Sequence, residues 1–275
     1  MPERLGTKPK ISIARQLLLF MIPIWLGSFF QQLYNTVDAI FVGRYVGKAA
    51  LAAVGGPTGQ ITSLLIGVFV ELAAGSSVIV AQYFGANSGK RAGRAVHTAI
   101  AVALICGGLI TVLGLIFTPA LLRSMHAEGA VYTFSHNFLQ IYFCGAIFVT
   151  LYNMGASVLR ALGDSKRPFY FLVVGCVTNI VLDYLLIRWV GWGVRSAAVA
   201  TVFSQAVSSL LILRALCTLP EPYRLHLKKI RIRLNILKSM MSIGLPEAMQ
   251  HLQPPHPGQH RQLRHQCHRR CVRLQ

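Results

Sequence analysis

Apolar runs of membrane length recur along the chain, separated by short polar connectors. Six spans are predicted, at roughly 16–41, 58–84, 96–118, 137–160, 168–190 and 196–218. At 1.5 Å per residue, runs of this length cross about 30 Å of hydrocarbon. The strict alternation over about ten residues that marks a membrane β-strand is not seen. The connectors "GRYVGKAALAAVGGP", "GANSGKRAGR", "LLRSMHAEGA", "LGDSKRP" and "GWGVR" carry turn and breaker residues. Pro168 falls just inside the fifth run, where the first turn of a helix tolerates it. The later stretch "IGLPEAM" reads as the start of a seventh apolar helix. The fold class is therefore an all-α polytopic membrane protein, a six-transmembrane-helix lobe plus the start of a seventh helix. The expected divisions are an N-terminus at 1–15, the lobe at 16–218, a basic linker at 219–238, the seventh-helix start at 239–250 and a tail at 251–275.

Composition agrees with that pattern. Of 275 residues 54% are hydrophobic and 13% charged, against about 25% charged in a soluble domain. A net charge of +19 would point to nucleic acid in a soluble protein, but here its placement matters more than its sum. With the N-terminus inside, 17 Lys and Arg fall on inner segments and five on outer ones. That asymmetry places the N-terminus and the segment after the sixth span in the cytoplasm. The expected partner is the lipid bilayer, with no nucleic acid. The linker "YRLHLKKIRIRLNILKSM" fits either an interfacial helix on an anionic leaflet or a solvated basic linker. The first run lacks a small-residue cleavage site and reads as a retained span. Cys106, Cys144, Cys176 and Cys217 lie in apolar spans as small hydrophobes, so no disulfide framework is implied.

The tail from His251 is a different polymer, rich in His, Arg, Cys and Pro, and without an acid. Cys267, His268 and Cys271 match no standard zinc spacing. The codons for "QLRHQCH", read one nucleotide later, can encode a plausible membrane sequence, so a frameshift near Gln250 is the expected origin of a disordered tail.

Only eight acidic residues exist, and three of them, Asp38, Glu71 and Asp183, fall inside spans. A charge at mid-bilayer costs at least about 2.5–3.5 kcal/mol on insertion scales, and such residues face a cavity or a partner. Asn179 and Asp183 in "VTNIVLDYLL" are spaced i, i+4 and share a helix face. Asp38 and Thr201 fall at a similar outer depth on spans one and six. Two carboxylates with amide and hydroxyl oxygens suit a small cation or a shared proton. Interhelical hydrogen bonding that merely fixes packing is the plainer alternative, above all for Asn179 or Thr201 alone. Glu71 reads either as a third cavity carboxylate or as an acid reaching water where its helix breaks at "ELAAGSS". Asn153 and Gln82 are polar positions that could line the same route. Pro23 removes a backbone hydrogen bond and should bend span one. No G-x-S-x-G, Walker-type loop or H-E-x-x-H occurs, so no enzyme chemistry and no cofactor is expected, and any active transport must draw on an ion gradient.

These residues, with "QQLYNTVDAIFVGRYVG", "GSSVIVAQYFGANSGKRAGRA", "NMGASVLRALGDSKRPFY", "VTNIVLDYLLI" and "GVRSAAVATVFSQ", resemble the multidrug and toxic compound extrusion (MATE) family, most like its bacterial branch. The resemblance covers most of residues 15–250. It implies twelve helices in two six-helix lobes and efflux of cationic, amphipathic compounds coupled to Na⁺ or H⁺. It also implies a cation site at Asp38, Asn179 and Asp183, with Thr201 and more loosely Asn153, and a bend at Pro23. The chain supplies the N-lobe, so a C-terminal lobe is an expected missing partner. Glu71 stands where the family pattern would have a small or apolar residue. A flippase for lipid-linked or amphipathic anions is the alternative, favoured if basic residues line a cavity. A non-transporting membrane fragment is the other.

Overall fold

A computed structural model describes residues 13–252. Among these, every regular element is helical, and the breaks fall where glycine and proline punctuate the apolar runs. Helix α1 (Ile13–Tyr45) runs uninterrupted through Pro23. A short helix α2 (Lys48–Ala53) follows Gly47, whose φ of 114° belongs to glycine. One wide turn at Val54–Thr58, carrying Gly56 and Pro57, then leads into α3 (Gly59–Gly85). Most of the stretch predicted as the first connector is therefore helix. The tight corner at Asn87, φ 52°, feeds α4 (Gly89–Ser124), so Lys90, Arg91 and Arg94 sit in its first turns and not in a loop.

The fourth span departs most from its sequence reading. It is two helices, α5 (Gly129–Cys144) and α6 (Ala146–Ala161), bent by 55° at Gly145. A Cβ on Gly145 would fall on the Val202 side chain, so glycine lets the bend press against the neighbouring helix. Helix α7 (Lys166–Leu185) begins where the Arg167 amide donates to Asp164 Oδ1 at 3.1 Å, and Arg167 Nε pairs with Oδ2 at 3.1 Å. It ends in a wide turn, Leu186–Val190, closed by Gly191 in the left-handed region at φ 69°. Helix α8 (Val194–Cys217) returns alongside α7.

The basic linker contains no interfacial helix. Between Thr218 and Arg233 only Leu227–Lys229 form a single tight helical turn. Its first part is pinned onto α4: the His226 amide donates to His97 Nε2 at 3.0 Å, and the two rings stack at 6.2 Å. Helix α9 (Leu234–Leu252) starts inside the stretch assigned to the linker, ahead of the boundary predicted at 239. The tail readings beyond residue 252 lie outside the described residues.

Two apolar clusters hold the bundle. One joins α3, α4, α6, α8 and α9 through Phe69, Ile100, Met154, Ile212 and Met240. The other joins α1, α3, α4, α5 and α8 through Val42, Ile61, Leu122, Phe143 and Val194. Small residues set the closest approaches, as is usual between helices in lipid. A Cβ on Gly75 would fall on the Gly244 backbone of α9, and one on Gly114 would enter the Phe143 ring. Many large apolar side chains point outward instead, among them Trp25, 82% exposed, and Ile116, 63% exposed. In water such a surface would aggregate; in hydrocarbon it is solvated.

Among the described residues four helical stretches are long and apolar enough to cross a membrane: Lys48–Gly85, Gly89–Ser124, Lys166–Val190 and Val194–Cys217. The bent α5–α6 pair makes five if it counts as one span. Helix α1 has an apolar first half and a second half that carries Gln31, Gln32, Asn35 and Asp38. Those polar residues lead to the site.

Candidate functional site

Three helices converge around two buried carboxylates. Helix α7 packs between α1 and α8, so its Asn179–Asp183 face meets Asp38 from one side and Thr201 from the other. Asp183 is fully buried, Asn179 nearly so, and Asp38 is 8% exposed. The Asp38 and Asp183 carboxyls lie against one another. Asn179 Nδ2 donates to Thr201 Oγ1 at 3.4 Å, a long bond that draws α7 to α8. The remaining oxygens are orphans: Asp38 Oδ1, Asn179 Oδ1 and both Asp183 oxygens are buried with no hydrogen-bond partner.

That arrangement cannot be two bare carboxylates. At about 4 Å and an effective dielectric near 20, two like charges repel by roughly 4 kcal/mol, before any desolvation penalty. Among the described residues neither aspartate pairs with a Lys, Arg or His. A small hard cation or a proton held between them removes the repulsion, and the orphan oxygens supply acceptors for either. The residues therefore fit a monovalent cation or a proton.

Asp38 and Thr201 also line a cavity of about 570 Å³ between α1, α3 and α5. This lies within the roughly 300–1,000 Å³ range of small-molecule pockets. Tyr34, Thr58, Glu71, Phe138 and Tyr142 share its wall, and no Lys, Arg or His does. Glu71 is half-buried on α3, which continues unbroken through "ELAAGSS". Ser76 and Ser77 satisfy their hydroxyls on carbonyls within α3, at 3.0 and 2.7 Å, so the predicted break does not occur. A second cavity of about 350 Å³ adjoins the first and shares Gln31, Tyr34, Tyr142 and Thr201 with it.

The other predicted positions fall apart from the carboxylate pair. Asn153 lines the second cavity, and its Nδ2 is spent on Val149 O of its own helix at 2.8 Å. Pro23 lies on the same second cavity, with Ile24 and Gly27. Gln82 is exposed near the end of α3 and lines neither cavity. Eleven residues separate it from Glu71. It keeps nearly the same azimuth on the helix but lies about 16 Å further along, past the cavity.

Residues that the spacing rules passed over complete the site. Tyr34 stands near Asp38, Asp183 and Gln205. Gln31, Tyr34, Asn35 and Asp38 form an i, i+3, i+4, i+7 stripe on α1, and Thr201, Ser204, Gln205 and Ser208 repeat that spacing on α8. Reading polar residues by helical period, rather than acids alone, would have found both. Arg160, at the end of the fourth predicted span, lines the second cavity and donates to Ser157 Oγ at 2.9 Å.

A bundle of membrane-length helices encloses paired buried carboxylates beside a ligand-sized cavity, as in an integral membrane protein with a polar interior site. The chain belongs to the MatE family, whose model matches residues 23–185. It is similar to the probable multidrug resistance protein YoeA of Bacillus subtilis (strain 168), 32% identical over 240 residues, covering 86% of this chain and 51% of that one. Its fold is similar to a MATE crystal structure in the bent conformation, with a TM-score of 0.80 and 31% identity over 87% of this chain and 53% of that one. An outward-facing multidrug resistance MATE transporter of the MOP superfamily matches with a TM-score of 0.79 and 31% identity, over 86% of this chain and 52% of that one. The chain spans about half the length of the curated relatives it matches.

Proposed function

We propose that this chain forms the N-terminal lobe of a secondary transporter that exports cationic, amphipathic compounds in exchange for Na⁺ or H⁺. The observation that carries the reading is the Asp38–Asp183 pair, buried and unneutralised beside a cavity whose lining is acidic and aromatic. Ion occupancy between Asp38 on α1 and Asp183 on α7 would draw those helices together, and its loss would let them part. Coupling requires that the ion bind the resulting states unequally. In this reading the N-terminus is cytoplasmic in a bacterial inner membrane, Thr201 and Asn179 supply neutral oxygens, and Asn153 lies along the neighbouring route. A second six-helix lobe completes the substrate cleft.

The purified 275-residue chain tests the ion site. Its melting temperature is compared in NaCl and in choline chloride, and its proton uptake is followed with a pH indicator as Asp38 and Asp183 are changed. A ligand that binds only the folded state raises Tm by mass action. The expected result is a Na⁺-dependent rise, or a site-linked proton uptake, that disappears in Asp38→Asn and in Asp183→Asn while both variants remain folded. Equal responses in wild type and variants would remove the site.

Arg160 on the second cavity supports a different reading, a flippase for an amphipathic anion. Vesicle assays pairing a cationic dye with an anionic lipid analogue separate the two: dye movement alone supports export of cations, lipid movement alone the flippase. Movement of neither by this chain, with a second lobe supplied, would favour a non-transporting membrane fragment.

A further inference from the structure

Resting on the reading that the cavity receives a cationic amphiphile, we propose that Glu71 is the residue that selects the cation: its carboxylate, apart from the Asp38–Asp183 pair, binds the positively charged nitrogen of the substrate. The ion site is assembled from α1, α7 and α8. Glu71 comes from α3, on a separate wall of the same cavity. Thr62, Ser63, Ile66, Gly67 and Val70 precede it on that wall at helical spacing, a strip of small and mixed side chains open to a ligand. Behind this strip, α3 is held by Leu72 and Gly75 against α9. Glu71 makes no ion pair and no side-chain hydrogen bond among the described residues, so no packing role accounts for its charge.

A feature of the cavity independent of the ion site points to a ligand: the Thr58 hydroxyl lines it at 1% exposure with no hydrogen-bond partner. Buried polar atoms normally find partners, and those left without one on a cavity wall await a ligand or solvent. From Thr58 to Glu71 the helix rises about 20 Å, long enough to accommodate a drug-sized molecule lengthwise. The rings of Phe138 and Tyr142, stacked at 6.0 Å, stand on the same cavity and offer an apolar face to an aromatic body. The ligand class that fits is an aromatic organic cation: its charge on Glu71, its rings toward α5, and its hydrogen-bonding groups within reach of Thr58. Such a ligand leaves Asp38 and Asp183 free to hold the coupling ion.

The full chain in lipid nanodiscs tests this with two probes of one shape, ethidium and its uncharged reduced form dihydroethidium, the latter kept under nitrogen. Binding is read by fluorescence anisotropy for wild type, Glu71→Gln and Glu71→Asp, with thermal melting by circular dichroism as a check on the fold. The expected result is that Glu71→Gln weakens ethidium about tenfold or more, the effect of losing one charge-assisted contact. Dihydroethidium binding and the melting temperature stay unchanged, and Glu71→Asp retains part of the preference. A wild-type preference for ethidium that survives Glu71→Gln overturns the role of Glu71 and leaves the export reading intact. Equal weakening of both probes assigns Glu71 to structure and overturns the proposal. A wild type with no preference for the cation overturns the proposal and the export reading together.

Discussion

At the residue scale, the site is built from side chains that would be unremarkable singly and become costly together. Asp183 is tolerable in a bilayer only with a partner, and the partner the fold supplies is another carboxylate. Thr201 illustrates how the neutral members matter. Its hydroxyl accepts from Asn179 Nδ2, which leaves Asn179 Oδ1 turned free. Thr201→Val replaces the hydroxyl with a methyl group of the same size and strands that amide. Leaving a buried donor unpaired costs about 1–3 kcal/mol. The expected outcome is a fall of about tenfold in apparent affinity for the proposed coupling ion, read from the Na⁺ or pH dependence of Tm, with Thr201→Ser restoring it. Asp38, Asn179, Asp183 and Thr201 were legible in the sequence because ionisable and amide groups stand out against an apolar background. Tyr34 and Gln205 were not, since neither carries a charge and the acids drew the reading first. Their helical register with Asp38 and Thr201 was nevertheless on view.

At the element scale, hydropathy located the apolar runs but misjudged how they end and bend. The charged start of α4 was read as connector because Lys90, Arg91 and Arg94 lower its hydropathy, yet nothing there breaks a helix. The bend at Gly145 was invisible for the converse reason. A lone glycine inside an apolar run is usually accommodated in a straight helix, and nothing local marks this one, which bends by 55° with Val202 of another helix packed against it. Helix α9 depends on a similar contact. It lies along α3 with Gly75 against the Gly244 backbone, an approach that leaves no room for a side chain at position 75. Gly75→Leu must push α9 away, at a cost of about 1–3 kcal/mol or more for an overpacked contact. The expected reading is a lower Tm together with faster proteolysis in the segment 219–252, while Gly55→Ala, where an added Cβ meets nothing within 4 Å, leaves both unchanged.

At the scale of the whole molecule, the distribution of exposed surface decides what the chain needs around it. Trp25, Phe29 and Leu18 on α1, and Ile105, Ile116 and Phe117 on α4, face outward as only a lipid or protein neighbour allows. The cavity, by contrast, carries the carboxylates Asp38 and Glu71 in its wall, and its neighbour carries Arg160. On the proposed reading, a single lobe binds an ion and a ligand without moving either across. In proteoliposomes carrying an inward Na⁺ or H⁺ gradient, the 275-residue chain alone is expected to show no gradient-driven export of ethidium. Supplying a second six-helix lobe from a relative is expected to restore it, and export by the chain alone would remove the need for that partner.

The sequence by itself determined the class of the protein, its membrane-length runs and the identity of its few buried acids, because each of these is a local property: length, hydropathy and the rarity of charge in lipid. Only the tertiary structure decided which acids meet. Asp38 and Asp183 are 145 residues apart in the chain, and they touch because α7 lies against α1. The same packing assigned Glu71 to the wall of the shared cavity, carried Gln82 beyond it along an unbroken helix, and turned Arg160 from a surface cation into a lining residue. Spacing along one helix fixes an azimuth and a depth. What stands opposite is set by the helices that pack there, through glycine contacts whose partners lie far away in the sequence.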